Sequence, residues 1–232
     1  MMTYRFKFSK GEEIKFIGHL DIVQAFQRSI KRADLPIAYS NGFNPHQQID
    51  FASPLSLGYV SEGEYGDLKL TQDLEPKEVM ERLNAVLPDG MVIKELIRRR
   101  DGVKNTMASV SAGRYKAYLD SRITPKMVEE NLENYFALKE IIVMKKTKKN
   151  FKETDIKPDI FQLINASEGE SAIIEMVIAA GSTRNLKPES VAEGFYNFVG
   201  VEYNKFKIGF KRMDIYMVID EKLVPLTYGV EF

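Results

Sequence analysis

Two histidines and a scatter of carboxylates are the side chains of this sequence best suited to proton transfer or metal binding, because imidazole titrates near neutrality and ligates divalent metals. His19 stands in Gly18-His19-Leu20-Asp21, His46 directly follows Asn44-Pro45, and Asp50 lies four residues further on. These groups could assemble a weak metal or acid–base site. The favoured reading is plainer: His19 packs or caps at a helix start and His46 sits in a solvated loop. Asn41-Gly42-Phe43-Asn44-Pro45 combines backbone-permissive residues with an aromatic, which suits either a recognition loop or a simple turn, and Tyr39 and Phe51 add aromatic surface beyond what a turn requires. A small-ligand site between this loop and the segment 58–65 would bring in Glu62 and Glu64. A different chemistry is suggested by the basic residues. Lys145, Lys146, Lys148 and Lys149, with Lys152 and Phe151 close by, could follow a phosphate backbone while a ring stacks on a base. Charges at a hairpin tip equally serve to protect sheet edges. Arg28, Lys31 and Arg32 form a second basic set, and Arg98-Arg99-Arg100 a third.

These residues need elements to hold them. Tyr4, Phe6 and Phe8 alternate with Arg5 and Lys7, a half-buried strand that stops at Lys10-Gly11. From Gly18 the period becomes helical, with Leu20, Val23, Phe26, Ile30 and Ala33 as the apolar stripe, Arg28, Lys31 and Arg32 opposite, and Leu35-Pro36 as the stop. Strand-like segments follow over 37–53 and 64–70. Pro76 then opens a helix carrying Val79, Leu83, Val86 and Leu87, and a strand begins at Met91. The segment from Arg98 to Gly113 is polar and aperiodic and reads as a connection. Beyond it the order recurs: a strand from Tyr115, a helix opened by Thr124-Pro125, strands at 141–144 and 156–164 around the basic run, a strand over 172–180, a helix opened by Lys187-Pro188, and a last strand from Phe206 to Val218. The sequence thus predicts an α+β protein of two ferredoxin-like halves in tandem (βαββαβ), over 1–104 and 114–232, each an antiparallel sheet with its helices on one face.

Composition bounds the function classes. The 232 residues contain no cysteine, which excludes disulfides, thiolate zinc sites, cysteine-bound iron–sulfur clusters and a cysteine nucleophile. The N-terminal residues lack the apolar core of a secretory signal and no apolar run reaches about 20 residues, so a cytoplasmic protein without a membrane partner is expected. Lys plus Arg balance Asp plus Glu at 33 each, so affinity for polyanions has to come from local clusters. The motifs of P-loops, dinucleotide folds, nucleophile elbows and zinc proteases are missing, and no cofactor is expected.

The segment 16–70 is distinctive. Gly18-His19-Leu20-Asp21, Tyr39-Ser40-Asn41-Gly42-Phe43-Asn44-Pro45, Phe51-Ala52-Ser53-Pro54-Leu55 and Ser61-Glu62-Gly63-Glu64-Tyr65 resemble the radical-SAM-associated domain of unknown function, a bacterial family found alone or joined to radical SAM enzymes. Thr154-Asp155-Ile156-Lys157-Pro158 and the stretch from Gly181 to Pro188 extend the resemblance along the chain. It implies no catalytic residues. It does imply a partner, a separately encoded radical SAM enzyme, because a chain without cysteines cannot hold the cluster that cleaves S-adenosylmethionine. An accessory protein presenting a macromolecular substrate is the leading expectation, with His19, Asp21, Tyr39, Asn41, Phe43, Asn44, His46, Glu62 and Glu64 as the candidate recognition residues. The alternative is an RNA-binding or RNA-processing protein of RAMP-like double-ferredoxin architecture, using Arg28, Lys31 and Arg32 with the run from Lys145 to Lys152. A conventional RNA-recognition strand is not expected, since 64–70 is acidic where that motif is basic.

Overall fold

The computed structural model describes residues 1–146 and 150–231, with the backbone alone at Lys146. It has a mixed α and β architecture with mostly antiparallel strand pairing and, among the described residues, five α-helices. None of the helices is long and apolar enough to cross a membrane.

The chain divides into two compact units, Met1–Ser111 together with the chain from Asp214 onward, and Ala112–Met213. The sequence alone joins the C-terminal stretch to the second half. In the structure its end belongs to the first, because Ile215, Met217, Leu226 and Val230 share a buried cluster with Ala52, Tyr65 and Ile97.

In the first unit, β1 (Met2–Lys10) lies between β4 (Met91–Arg99) and β3 (Val60–Leu70), antiparallel to both, and the short β2 (Ile49–Phe51) extends β3, giving the order β4-β1-β3-β2. The alternation read in β1 is real: Tyr4, Phe6 and Phe8 are buried with Leu68 and Leu70 in one core. Helix α1 (His19–Arg32) starts at Gly18, and α2 (Pro76–Asn84) starts on its proline. The phase of α1 differs from the expectation at one point. Leu20 is 75% exposed, while Ile22 is 6% exposed and packs with Phe26 and Ile30. Positions 22, 26, 29, 30 and 33 fall on one side of a 3.6-residue helix, and position 20 is turned about 140° away from the middle of that side.

Beneath this sheet lies an ion network. The Arg5 guanidinium, fully buried, gives Nε to Asp67 Oδ1 (2.9 Å) and Nη2 to Asp67 Oδ2 (3.1 Å). Arg99 Nη1 and the Thr106 backbone N–H also donate to Asp67, at 2.7 and 3.1 Å. Arg5 further donates to the carbonyls of Lys104 and Leu226, at 2.8 and 2.9 Å. A bidentate buried pair whose arginine also donates to two carbonyls fixes what it touches. Here it fixes the segment around α3 (Thr106–Ser109) and the chain after Pro225.

In the second unit, β9 (Ile173–Ala179), buried along its whole length, pairs antiparallel with β5 (Ala112–Tyr118) on one side and β8 (Ile160–Asn165) on the other. Helices α4 (Pro125–Phe136) and α5 (Pro188–Phe198) meet where Tyr135 Oη donates to the Val191 carbonyl at 3.1 Å. Among the described residues the stretch between α4 and β9 holds three strands, not the two of the sequence reading. Between α4 and β8, β6 (Ile142–Lys146) and β7 (Phe151–Asp155) form a separate antiparallel hairpin. The last long strand, β10 (Gly209–Ile219), starts three residues after the expected Phe206, which is exposed, and β11 (Lys222–Pro225) pairs back on it.

Candidate functional site

The clearest convergence of titratable groups lies in the first unit, at the end of β1. Lys10 continues the inward series Tyr4, Phe6, Phe8, and its side chain is buried. Its Nζ donates to the carbonyls of Lys15 (2.9 Å) and Ile17 (3.0 Å), which holds the turn leading into α1. His19, the first residue of that helix, presents its ring edge-on to Phe51 at 5.9 Å between centroids. Glu64, buried, stands across from Phe8 on β3. Lys10, His19 and Glu64 line one cavity of about 20 Å³ together with Phe8, Ile22, Phe51 and Tyr65.

Burial sets the electrostatics. It pushes the Lys10 ammonium below its ordinary pKa, and the Glu64 carboxylate pulls it back up. Burial also lowers the His19 imidazole, favouring the neutral ring. The Tyr65 phenol is driven far upward by burial and by Asp214, to whose Oδ1 it donates at 2.6 Å. The cavity has the volume of one water. It can hold a water between a cation, a carboxylate and a neutral imidazole, but it is too small for an organic substrate. Among the described residues no cluster of three or more His, Asp or Glu could hold a metal ion, and His19, His46 and Asp50 are not brought together as the metal reading required.

The remaining recognition residues fall elsewhere. Asp21 curls back over the helix start, its Oδ2 3.3 Å from the position a Gly18 Cβ would occupy. Glu62 pairs with Lys94. Tyr39, Asn41, Phe43, Asn44 and His46 occupy an exposed loop whose stem is hydrogen-bonded: Ser40 N–H donates to the His46 carbonyl (2.8 Å), and Ser40 Oγ lies 2.8 Å from His46 Nδ1. Gln47 Nε2 ties the stem to α1 through the Gln27 carbonyl at 3.2 Å. Gly42, at φ 118°, takes a conformation that side chains rarely adopt, and Phe43 beside it projects fully into solvent.

A second apolar exposure goes unsignalled by periodicity. Phe16, Ile17, Leu20 and Leu57 are all exposed. Gly58 N–H donates to the Lys15 carbonyl at 2.9 Å and the Phe16 ring lies against Gly58, so the turns carrying Phe16 and Leu57 adjoin. The signal available in the sequence was Phe16-Ile17, an apolar pair out of phase with the α1 stripe.

The basic candidates separate into two groups. Arg28 Nη2 reaches Gln24 at 3.4 Å, Arg32 Nη2 donates to the Val86 carbonyl at 2.7 Å, and Lys31 is exposed. In the second unit Lys145 faces Lys152 across the β6–β7 hairpin and Lys146 pairs with the exposed Phe151; Lys148 and Lys149 lie outside the described residues. Of the arginine run, Arg98 is engaged by Asp73 and Glu75 and Arg99 by Asp67.

Among solved structures, an unknown protein from Galdieria sulphuraria is similar over 94% of this chain and 99% of its own, at 13% identity and a TM-score of 0.25, which is too low to carry an argument. No curated protein matches. The model of the uncharacterized proteins conserved in bacteria called DUF2344 matches residues 3–188, and this chain belongs to that family.

Proposed function

We propose that this chain is a binding protein that works through the exposed loops of its first unit, and that its partner is a separately encoded radical SAM enzyme to which it helps present a macromolecular substrate. The observation that carries the binding reading is Phe43, fully exposed at the tip of a loop whose stem is locked by Ser40, His46 and Gln47. Covering an aromatic of this size is worth about 2 to 3 kcal/mol, and a rigid loop loses little entropy on docking. Phe16, Leu20 and Leu57 add exposed apolar area. The identity of the partner rests on the resemblance of these same segments to the radical-SAM-associated domain.

Two ferredoxin-like halves remain the architecture we propose. The order β4-β1-β3-β2 with α1 and α2 supports it for the first unit, and β5, α4, β8, β9, α5 and β10 follow the same sequence of elements if the β6–β7 hairpin is an insertion.

The test is turnover of the partner enzyme with and without this chain. A rate or substrate affinity that falls when the chain is withheld supports the reading; full rate and full affinity in its absence refute it. One observation favours RNA as a second reading: Lys145 and Lys152 face one another beside exposed Phe151. RNA affinity should then fall steeply with salt, by about 0.7 in log K per tenfold rise in salt for each phosphate neutralised on a single strand. No binding at low salt would exclude it.

A further inference from the structure

We infer a second ligand site in the first unit, distinct from the loops above, that takes a small organic anion with an apolar body: a carboxylate or phosphate ester carrying an aromatic or alkyl group. The site is a cleft of about 310 Å³ beside α3, within the usual size range for small-molecule pockets. Its floor is apolar, with Met217 and Val230 from the buried cluster and Val103 and Ile219 packed against them. Its charged lining residues are both cations, Arg100 and Lys104, and neither pairs with a carboxylate among the described residues.

The Arg100 side chain and the backbone that carries Lys104 are placed in advance. The Arg100 backbone N–H donates to the Val230 carbonyl at 3.0 Å and its Nη2 to the Gly229 carbonyl at 2.9 Å, leaving the other guanidinium donors available. Lys104 sits on the segment clamped by the buried ion network: its carbonyl accepts from Arg5 at 2.8 Å, and two residues later the Thr106 N–H is held by Asp67 at 3.1 Å. An apolar floor flanked by two cations favours a ligand with an anionic head and an apolar body, since either part alone forgoes half of the contacts.

Phenyl phosphate, phenylacetate, benzyl alcohol and inorganic phosphate, titrated separately into the full-length protein, test this by following the methyl NMR signals of Met217 and Val230. The two phenyl anions should bind saturably, and benzyl alcohol and inorganic phosphate far more weakly. Arg100→Gln and Lys104→Gln should each weaken the anions about tenfold, the scale of one charge-assisted hydrogen bond. Both side chains are exposed, so neither change should move the melting temperature, which is measured alongside. Vesicles containing phosphatidylglycerol separate the sources of the anion. Vesicle binding that is lost in the double variant assigns the site to a lipid headgroup, and phenyl-anion binding without vesicle binding assigns it to a free metabolite. Equal affinity for benzyl alcohol or inorganic phosphate, or an unchanged affinity in the double variant, overturns the inference.

Discussion

Replacing Asp67 by Ala should be among the most damaging single changes in the first unit. The Asp67 carboxylate is buried and accepts four hydrogen bonds, two from Arg5 and one each from Arg99 and the Thr106 backbone. Removing it strands the fully buried Arg5 guanidinium, whose remaining partners are two neutral carbonyls. Breaking a buried pair by deleting one partner costs about 3 to 5 kcal/mol, most of it the penalty of an uncompensated charge. In a chain of this length that lowers the melting temperature by roughly 6 to 20 °C. The double variant Arg5→Met with Asp67→Leu removes the buried pair and should recover part of the loss, because an apolar replacement of a buried pair is often neutral, while Arg99 and the Thr106 N–H still lose their acceptor. Circular dichroism melts of the three proteins provide the comparison. A loss under about 1 kcal/mol for Asp67→Ala, or a double variant as unstable as the single one, would refute the claim that this network organises the unit. The same variant frees the Lys104 segment, so phenyl phosphate binding should weaken even where the protein remains folded.

Three further outcomes follow from local geometry. Gly66→Ala should cost more than about 2 kcal/mol, read in a urea melt, because its Cβ would lie 2.4 Å from the Phe6 ring and 2.7 Å from the Asp50 carbonyl oxygen. Ile22→Ala should cost about 2 to 4 kcal/mol while Leu20→Ala stays within about 0.5, and the reverse order in the same melts would mean that α1 has been assigned the wrong face. Burial holds the His19 imidazole below its usual value, so between that lowered value and about 6.5 the unfolded chain binds more protons than the folded one. Stability should therefore rise with pH through this window and level off above about 6.5, and His19→Gln should flatten the rise; an equal slope in both proteins would show that His19 is not responsible.

Much of the first unit was legible because local pattern and tertiary environment agree there. The alternation of Tyr4, Phe6 and Phe8 and the helix starts at Gly18 and Pro76 needed no distant information. Burial in β3 was not legible: Leu68 packs in the main core on one face and Tyr65 in the second cluster on the other, so consecutive residues from Gly63 to Leu68 are buried, which removes the period-two signal. Asp67 reads as a surface residue until Arg5, 62 positions away, is placed beside it. Lys10 looked like the polar end of a strand, and only the carbonyls of Lys15 and Ile17 explain how a lysine is tolerated inside. The candidate residues divided for the same reason. His19 and Glu64 meet because the strand and helix that carry them pack together, whereas His46 is kept in its own loop by a neighbour six residues away.

The most direct test of the central claim is a binding measurement with three tagged proteins, wild type, Phe43→Ser and the double variant Phe16→Ser/Leu20→Ser, each exposed at low salt to extract from cells that make the natural chain. The account predicts that the wild type retains a radical SAM enzyme in stoichiometric amount, and that the serine variants lose it while melting at the wild-type temperature. Retention of that enzyme by all three proteins, or by none of them, would contradict it.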